Sequence, residues 1–257
     1  MRATRSKFEK MAVLAAAILR QPRPLRRGLA RTYKDLVEDL SPIPKITFQD
    51  FLGSASIALE NFFSTDGNVS LDELAFIAAL SRKTKPRVVV EIGTFDGNTT
   101  LQLALNTPSE ARIYTLDLPI DAGGNSENDE GDVKYITSSR RYNLRFKGTA
   151  VESKITQCYG NSLTFDFGKF TTNGKPQLIF IDAGHSYECV RNDSEKALKI
   201  LDSHGIIIWQ DYSADWPGVF RYLGELCRTH RLLHISGTSL VVYSPMDWKL
   251  TTLSSLL

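Results

Sequence analysis

The chain has 257 residues, 42% hydrophobic and 23% charged, with a mean hydropathy of −0.18, which fits one α/β domain with an appendage. Its 31 basic and 29 acidic side chains leave a formal charge of +2, too small a field to wrap a polyanion, so no nucleic-acid partner is expected. The three cysteines, Cys158, Cys189 and Cys227, lie far apart with no CxxC pair or Cys/His cluster, which excludes a disulfide framework or structural zinc and points to reduced thiols in the cytoplasm.

The first ten residues are basic, and residues 11–19 (MAVLAAAIL) are apolar. That run is far short of the roughly 18 residues of a membrane span. Arg20, Pro22, Arg23, Pro24, Arg26 and Arg27 follow it instead of a small-residue cleavage site, so a secretory signal is not expected. A basic amphipathic helix touching a membrane surface is one reading. Packing on the main domain, or on a second subunit of a homo-oligomer, is the reading preferred.

Residues 1 to about 80 read as helical. Ser70 with Glu73 three positions on forms a capping box ahead of the run Leu-Ala-Phe-Ile-Ala-Ala-Leu, and Lys83, Lys85 and Pro86 stop that helix. A boundary at 69/70 therefore divides a helical N-terminal extension (1–69) from the main domain (70–257).

From Arg87 short apolar runs alternate with helical stretches. Strands are expected at Val88–Ile92, 113–116, 155–158, Leu178–Ile181 and Ile206–Trp209, with helices at 99–105 and 190–201 among them. Continuous apolar strands alternating with helices indicate a doubly wound, Rossmann-like α/β fold with a mostly parallel sheet. Leu232–Ile235 and residues 240–243, around Gly237, predict an antiparallel C-terminal hairpin.

Between the second and third strands, residues 118–154 form a candidate lid insertion. Residues 121–132 are polar, acidic and Gly-rich, whereas residues 138–147 (SSRRYNLRFK) are basic and aromatic. Following a strand's carboxyl end, this stretch should lie beside a ligand crevice.

The strand at Val88 runs through Glu91 into a turn with Gly93, Thr94 and Gly97, then into a helix. Glycines there allow positive φ and close approach of a ligand to the backbone, and the helix N-terminus faces a polar ligand. The spacing is GxxxG, neither the GxGxxG of dinucleotide sites nor a Walker loop. Glu91 suits an ammonium or sulfonium better than a phosphate. Asp117, 24 residues after Gly93 at the end of the next strand, stands where an acid holds ribose hydroxyls.

Glu91-Ile-Gly-Thr-Phe-Asp-Gly with Asp117 resembles the first two motifs of class I S-adenosylmethionine-dependent methyltransferases. Tyr159-Gly-Asn-Ser is similar to their turn after the third strand. Ile179-Phe-Ile-Asp-Ala-Gly-His-Ser-Tyr-Glu and Ile208-Trp-Gln-Asp-Tyr resemble the fourth and fifth strands of a small-molecule O-methyltransferase-like subgroup. The resemblance implies methyl transfer from S-adenosylmethionine to a small-molecule, sugar or lipid-like hydroxyl. It places Glu91, Gly93, Thr94 and Gly97 around the methionine part, Asp117 on the ribose, Leu118, Asn161 and Ser162 at the adenine, and Asp182 near the sulfonium.

An alcohol acceptor must also lose its proton. His185, oriented by Asp182 or Glu188, is the natural base. Alternatively Asp182 and Asp211, at neighbouring strand ends, converge on Mg²⁺ with Gln210 as a third ligand. His204, His230 and His234 read as structural. Phe95, Tyr187, Tyr212 and Trp216 could wall an acceptor pocket, whereas Trp209, inside a strand, reads as core. An NAD-type dehydrogenase and a non-catalytic cofactor-binding module are the rival classes.

Overall fold

The computed structural model describes residues 41–62, 65–119 and 138–246, with backbone alone for 139 and 140. The N-terminal basic helix and the acidic half of the candidate lid fall outside these residues. Eight strands form one sheet: β1 (Lys45–Ile46), β2 (Val88–Ile92), β3 (Arg112–Asp117), β4 (Ile155–Tyr159), β5 (Leu178–Ile181), β6 (Ile206–Trp209), β7 (Leu232–Ile235) and β8 (Val241–Tyr243). Their spatial order is β1-β7-β8-β6-β5-β2-β3-β4. All pairings are parallel except those of β8 with β6 and β7, so the expected antiparallel hairpin closes one side.

The central strands are buried on both faces, which explains their unbroken Val/Ile/Leu runs. One face carries Val88, Val90, Ile92, Ile179 and Ile207 against helices α4 (Tyr187–Ile200) and α5 (Pro217–Leu226). The other carries Val89, Ile113, Phe180 and Ile208 against α1 (Phe48–Leu52), α2 (Leu71–Thr84) and α3 (Asn98–Asn106). Helix α2 begins at the capping box read from the sequence and ends at Lys85 in the left-handed region.

The described residues before Ser70 depart from an all-helical reading. Lys45–Ile46 adds to the sheet beside β7, because the edge of β7 offers unpaired backbone groups that an extended Pro44-Lys-Ile segment can satisfy: His234 N donates to the Pro44 carbonyl and Ser236 N to that of Ile46.

Successive strands β2, β3 and β4 step outward in one direction, and β5 returns to the other side of β2. The strand order therefore reverses between β2 and β5, where a crevice opens at the carboxyl ends of a doubly wound sheet. Among the described residues, no helix is long and apolar enough to cross a membrane.

Candidate active site

The β2 end crosses tightly behind the β5 end. A Cβ on Gly93, at φ +103°, would lie 1.7 Å from the Asp182 carbonyl oxygen, so only glycine lets the two strand ends meet here. At Gly97 (φ +75°) the Phe146 ring takes the neighbouring space. At both glycines the chain itself thus occupies the place where a Cβ would stand.

Beneath this turn lies a buried polar ladder. Glu91 Oε2 accepts from Thr115 Oγ1 at 2.6 Å and from Thr100, while Oε1 is buried with no hydrogen-bond partner among the described residues. Thr94 Oγ1 shares a 2.6 Å hydrogen bond with Thr115 Oγ1 and accepts from Gln157 Nε2 at 3.0 Å. Burial pushes the Glu91 carboxyl up to about 8 against the pull of the two threonine hydroxyls. Thr100, Thr115 and Gln157 escaped the sequence reading, since hydroxyls inside apolar helices and strands carry no motif.

Asp117 ends β3 with its side chain 18% exposed. Its Oδ1 accepts from Leu118 N at 2.7 Å and its Oδ2 from Phe95 N at 3.0 Å. Arg141 forks onto the same carboxylate, with Nη2 at 3.1 Å from Oδ1 and Nε at 3.4 Å from Oδ2, and also donates to the Leu118 carbonyl. Burial raises the Asp117 carboxyl above its ordinary value, and the Arg141 charge draws it back.

Arg141 and Arg145, from the basic stretch, thus pair with Asp117 and Asp96. Arg145 clasps Asp96 Oδ2 at 2.7 Å and reaches Asn68 and Asn98.

Asn161 and Ser162 follow β4, but much of their bonding goes to the loop itself. Asn161 Oδ1 accepts from Leu163 N at 2.9 Å. Nearby, Asn192 Nδ2 donates to Asp193 Oδ1 at 2.9 Å, and burial raises the Asp193 carboxyl to about 6. From α4, Lys196 Nζ donates to the carbonyls of Ser162, Leu163 and Phe165 at 2.6, 2.9 and 3.1 Å, and Asn192 joins it on Ser162. This clamp, too, was invisible in the sequence, since its partners lie 30 or more residues apart.

Asp182, His185 and Asp211 converge, with one potential ligand atom from each inside a 4.8 Å span. His185 Nε2 lies 2.7 Å from Asp211 Oδ2, and its ring stacks on Trp216 at 3.8 Å between centroids. The partner of His185 at Nε2 is Asp211, whereas Glu188 is exposed and pairs with Arg191 at 2.8 Å. Burial first, and then the Asp211 charge, hold the Asp182 carboxyl well above the usual range, with His185 drawing it down.

Gln210 sits next to Asp211 and donates its backbone N–H to the Ile181 carbonyl at 3.1 Å, and His185 joins Asp182 and Asp211 as a potential ligand that the sequence reading had cast as a base. Asp211 itself has φ +65°, held by Ser239, whose hydroxyl accepts from Asp211 N at 3.1 Å and donates to Glu73 Oε1 at 2.7 Å.

Of the aromatic residues, Trp209 is core and donates to Ser194 Oγ at 2.8 Å, as expected. Tyr212 is also core, stacked on Phe220, whereas Phe95, Tyr187 and Trp216 are partly buried. His204, His230 and His234 bond locally, to Ser203, Thr229 and the Thr238 carbonyl.

Comparison with known proteins agrees with this architecture. Residues 90–212 match the model of a family described as a methyltransferase domain. That match spans just under half of the chain and takes in β2 to β6 of the Rossmann-like sheet.

The calicheamicin methyltransferase CalS11 superposes with a TM-score of 0.54 at 12% identity, over 96% of this chain and 95% of that one. The SAH-bound methyltransferase PaMTH1 of Podospora anserina gives 0.52 at 19% identity, over 73% and 83%. At these identities the likeness establishes the fold. No curated protein sequence matches the chain.

Proposed function

We propose that the protein methylates a hydroxyl of a small-molecule, sugar or lipid-like acceptor, with S-adenosylmethionine as donor. The observation that carries this reading is the Asp182–His185–Asp211 cluster, which lies at the same sheet edge as the acid Asp117.

The residues fit the cofactor chemically. Glu91 offers a buried carboxyl oxygen without a hydrogen-bond partner among the described residues, which an incoming cationic amino-acid group would ionise and pair with, and Asp117 offers a partly exposed carboxylate for a ribose diol. When bound, S-adenosylmethionine supplies an electrophilic methyl on a sulfonium. The SAH in PaMTH1 belongs to a protein with the same fold and supports this choice of cofactor.

The chain's own contribution is alignment and proton removal. Stacking on Trp216 and the contact with Asp211 fix the His185 ring. The imidazole takes the acceptor's hydroxyl proton, and the Asp211 carboxylate then faces an imidazolium that it stabilises. Trp216 covers one face of the imidazole and shields it from water.

A second reading draws on the same three side chains. Two carboxylates this close are stable together when a proton or a cation lies between them, and two oxygens with one imidazole nitrogen make a donor set for a divalent cation such as Mg²⁺. Asp182, Asp211 and His185 would hold it, and it would lower the acceptor's pKa.

Titration calorimetry with S-adenosylmethionine and SAH, with and without EDTA, tests both. Binding is expected, lost in Asp117→Ala and kept in His185→Ala, which should lose turnover about 10²–10⁴-fold. Turnover unchanged by EDTA removes the metal. Binding of NADH in place of both ligands would favour a dehydrogenase, and binding without turnover on any hydroxyl acceptor a non-catalytic module.

A further inference from the structure

A carboxylate has about four acceptor directions. At Asp117 two are taken by the backbone amides of Phe95 and Leu118, which cannot leave without unfolding the turn. The other two are taken by the Arg141 fork, one nitrogen on each oxygen. A vicinal diol needs that same pair, one hydroxyl on each oxygen. A ribose and the Arg141 guanidinium are therefore alternatives at Asp117.

The segment carrying Arg141 is anchored on its far side. Four residues on, Arg145 is held by Asp96, Asn68 and Asn98, its own N–H donates to the Asp96 carbonyl at 2.9 Å, and Phe146 is 1% exposed against Gly97. Arg141, on the short turn Ser139–Tyr142, meets the Asp117–Leu118 strand end through its side chain.

We propose that Arg141 is an intramolecular gate on the cofactor site, occupying Asp117 in place of a ribose diol and leaving it as the nucleoside enters. The proposal rests on the S-adenosylmethionine reading above. In the closed form Arg141 neutralises the largely covered Asp117 carboxylate, and the fork matters because a lysine could meet one oxygen but not both. Apparent affinity for the nucleoside is then reduced by the fraction of molecules whose gate is open.

Titrating the full chain with SAH at pH 8 tests the gate. Arg141→Ala should bind SAH about tenfold tighter than the wild type, the effect of a gate closed nine-tenths of the time, with Arg141→Lys in between. Hydrogen exchange supplies a second reading: saturating SAH should speed exchange of the amides at 138–142 and leave those at 145–147 unchanged, the reverse of ordinary ligand protection.

Equal or weaker binding by Arg141→Ala, with the wild type binding normally, overturns the gate and leaves the cofactor reading intact. Failure of both proteins to bind SAH overturns both. Should Arg141→Ala not fold, Arg141→Lys and the wild-type exchange decide, and slower exchange at 138–142 on adding SAH overturns the gate.

Discussion

Glu91 has no exposed surface, and its environment favours the protonated carboxyl. An unfolded chain releases that proton near pH 4.5, whereas the folded chain keeps it to about pH 8. Between these values the folded state binds more protons, so this group makes stability fall as pH rises, by about 1.4 kcal/mol per pH unit, and the fall ends above the folded value. Glu91→Gln removes that dependence. Its melting temperature, relative to wild type without cofactor, should climb from pH 5 to pH 8, and a constant difference would show that Glu91 is ionised in the folded protein. The acid at Glu91 was legible because it stands before a glycine turn. Its environment was not, because Thr100 and Thr115 lie 9 and 24 residues away and become neighbours only when α3 covers the strands.

At the scale of elements, α2 shows how a local motif gains a distant role. Ser70 and Glu73 cap the helix, a signal contained within four residues. The second oxygen of Glu73 accepts from Ser239 N and Oγ at 2.8 and 2.7 Å, and the Ser239 hydroxyl in turn holds the left-handed turn at Asp211. Removing the cap alone in Ser70→Ala should cost about 1 kcal/mol, a fall of about 2–4 °C in melting temperature. Glu73→Ala should cost more and also lower turnover, since it leaves the Ser239 donors without an acceptor and loosens Asp211. Equal losses in the two variants would sever this link between helix and site. Strand β1 teaches the converse. A two-residue strand has too little periodicity to be read, and it forms because the edge of β7 is there to receive it.

Across the whole molecule, stability rests on a sheet covered on both faces. Ile208 is fully buried in β6 between β5 and β8, so Ile208→Ala should cost about 2–5 kcal/mol in denaturant unfolding, while Leu71→Ala, on a side chain 49% exposed, should stay within about 0.5 kcal/mol. Similar losses at both positions would contradict that division of core and surface. The order β1-β7-β8-β6-β5-β2-β3-β4 also decides which strand ends meet. The sequence by itself determined strands β2 to β8, the capped helix, the glycine turn and the acids Glu91, Asp117, Asp182 and Asp211, because each is a local pattern of apolar period, turn residue or strand end. Only the tertiary structure decided that Asp211 rather than Glu188 faces His185, that the Asp182 carbonyl and Phe146 stand where a Cβ on Gly93 or Gly97 would fall, and that Arg141 sits on Asp117. Those pairings span tens of residues, and a side chain's partner is set by which elements pack side by side, which no local pattern encodes.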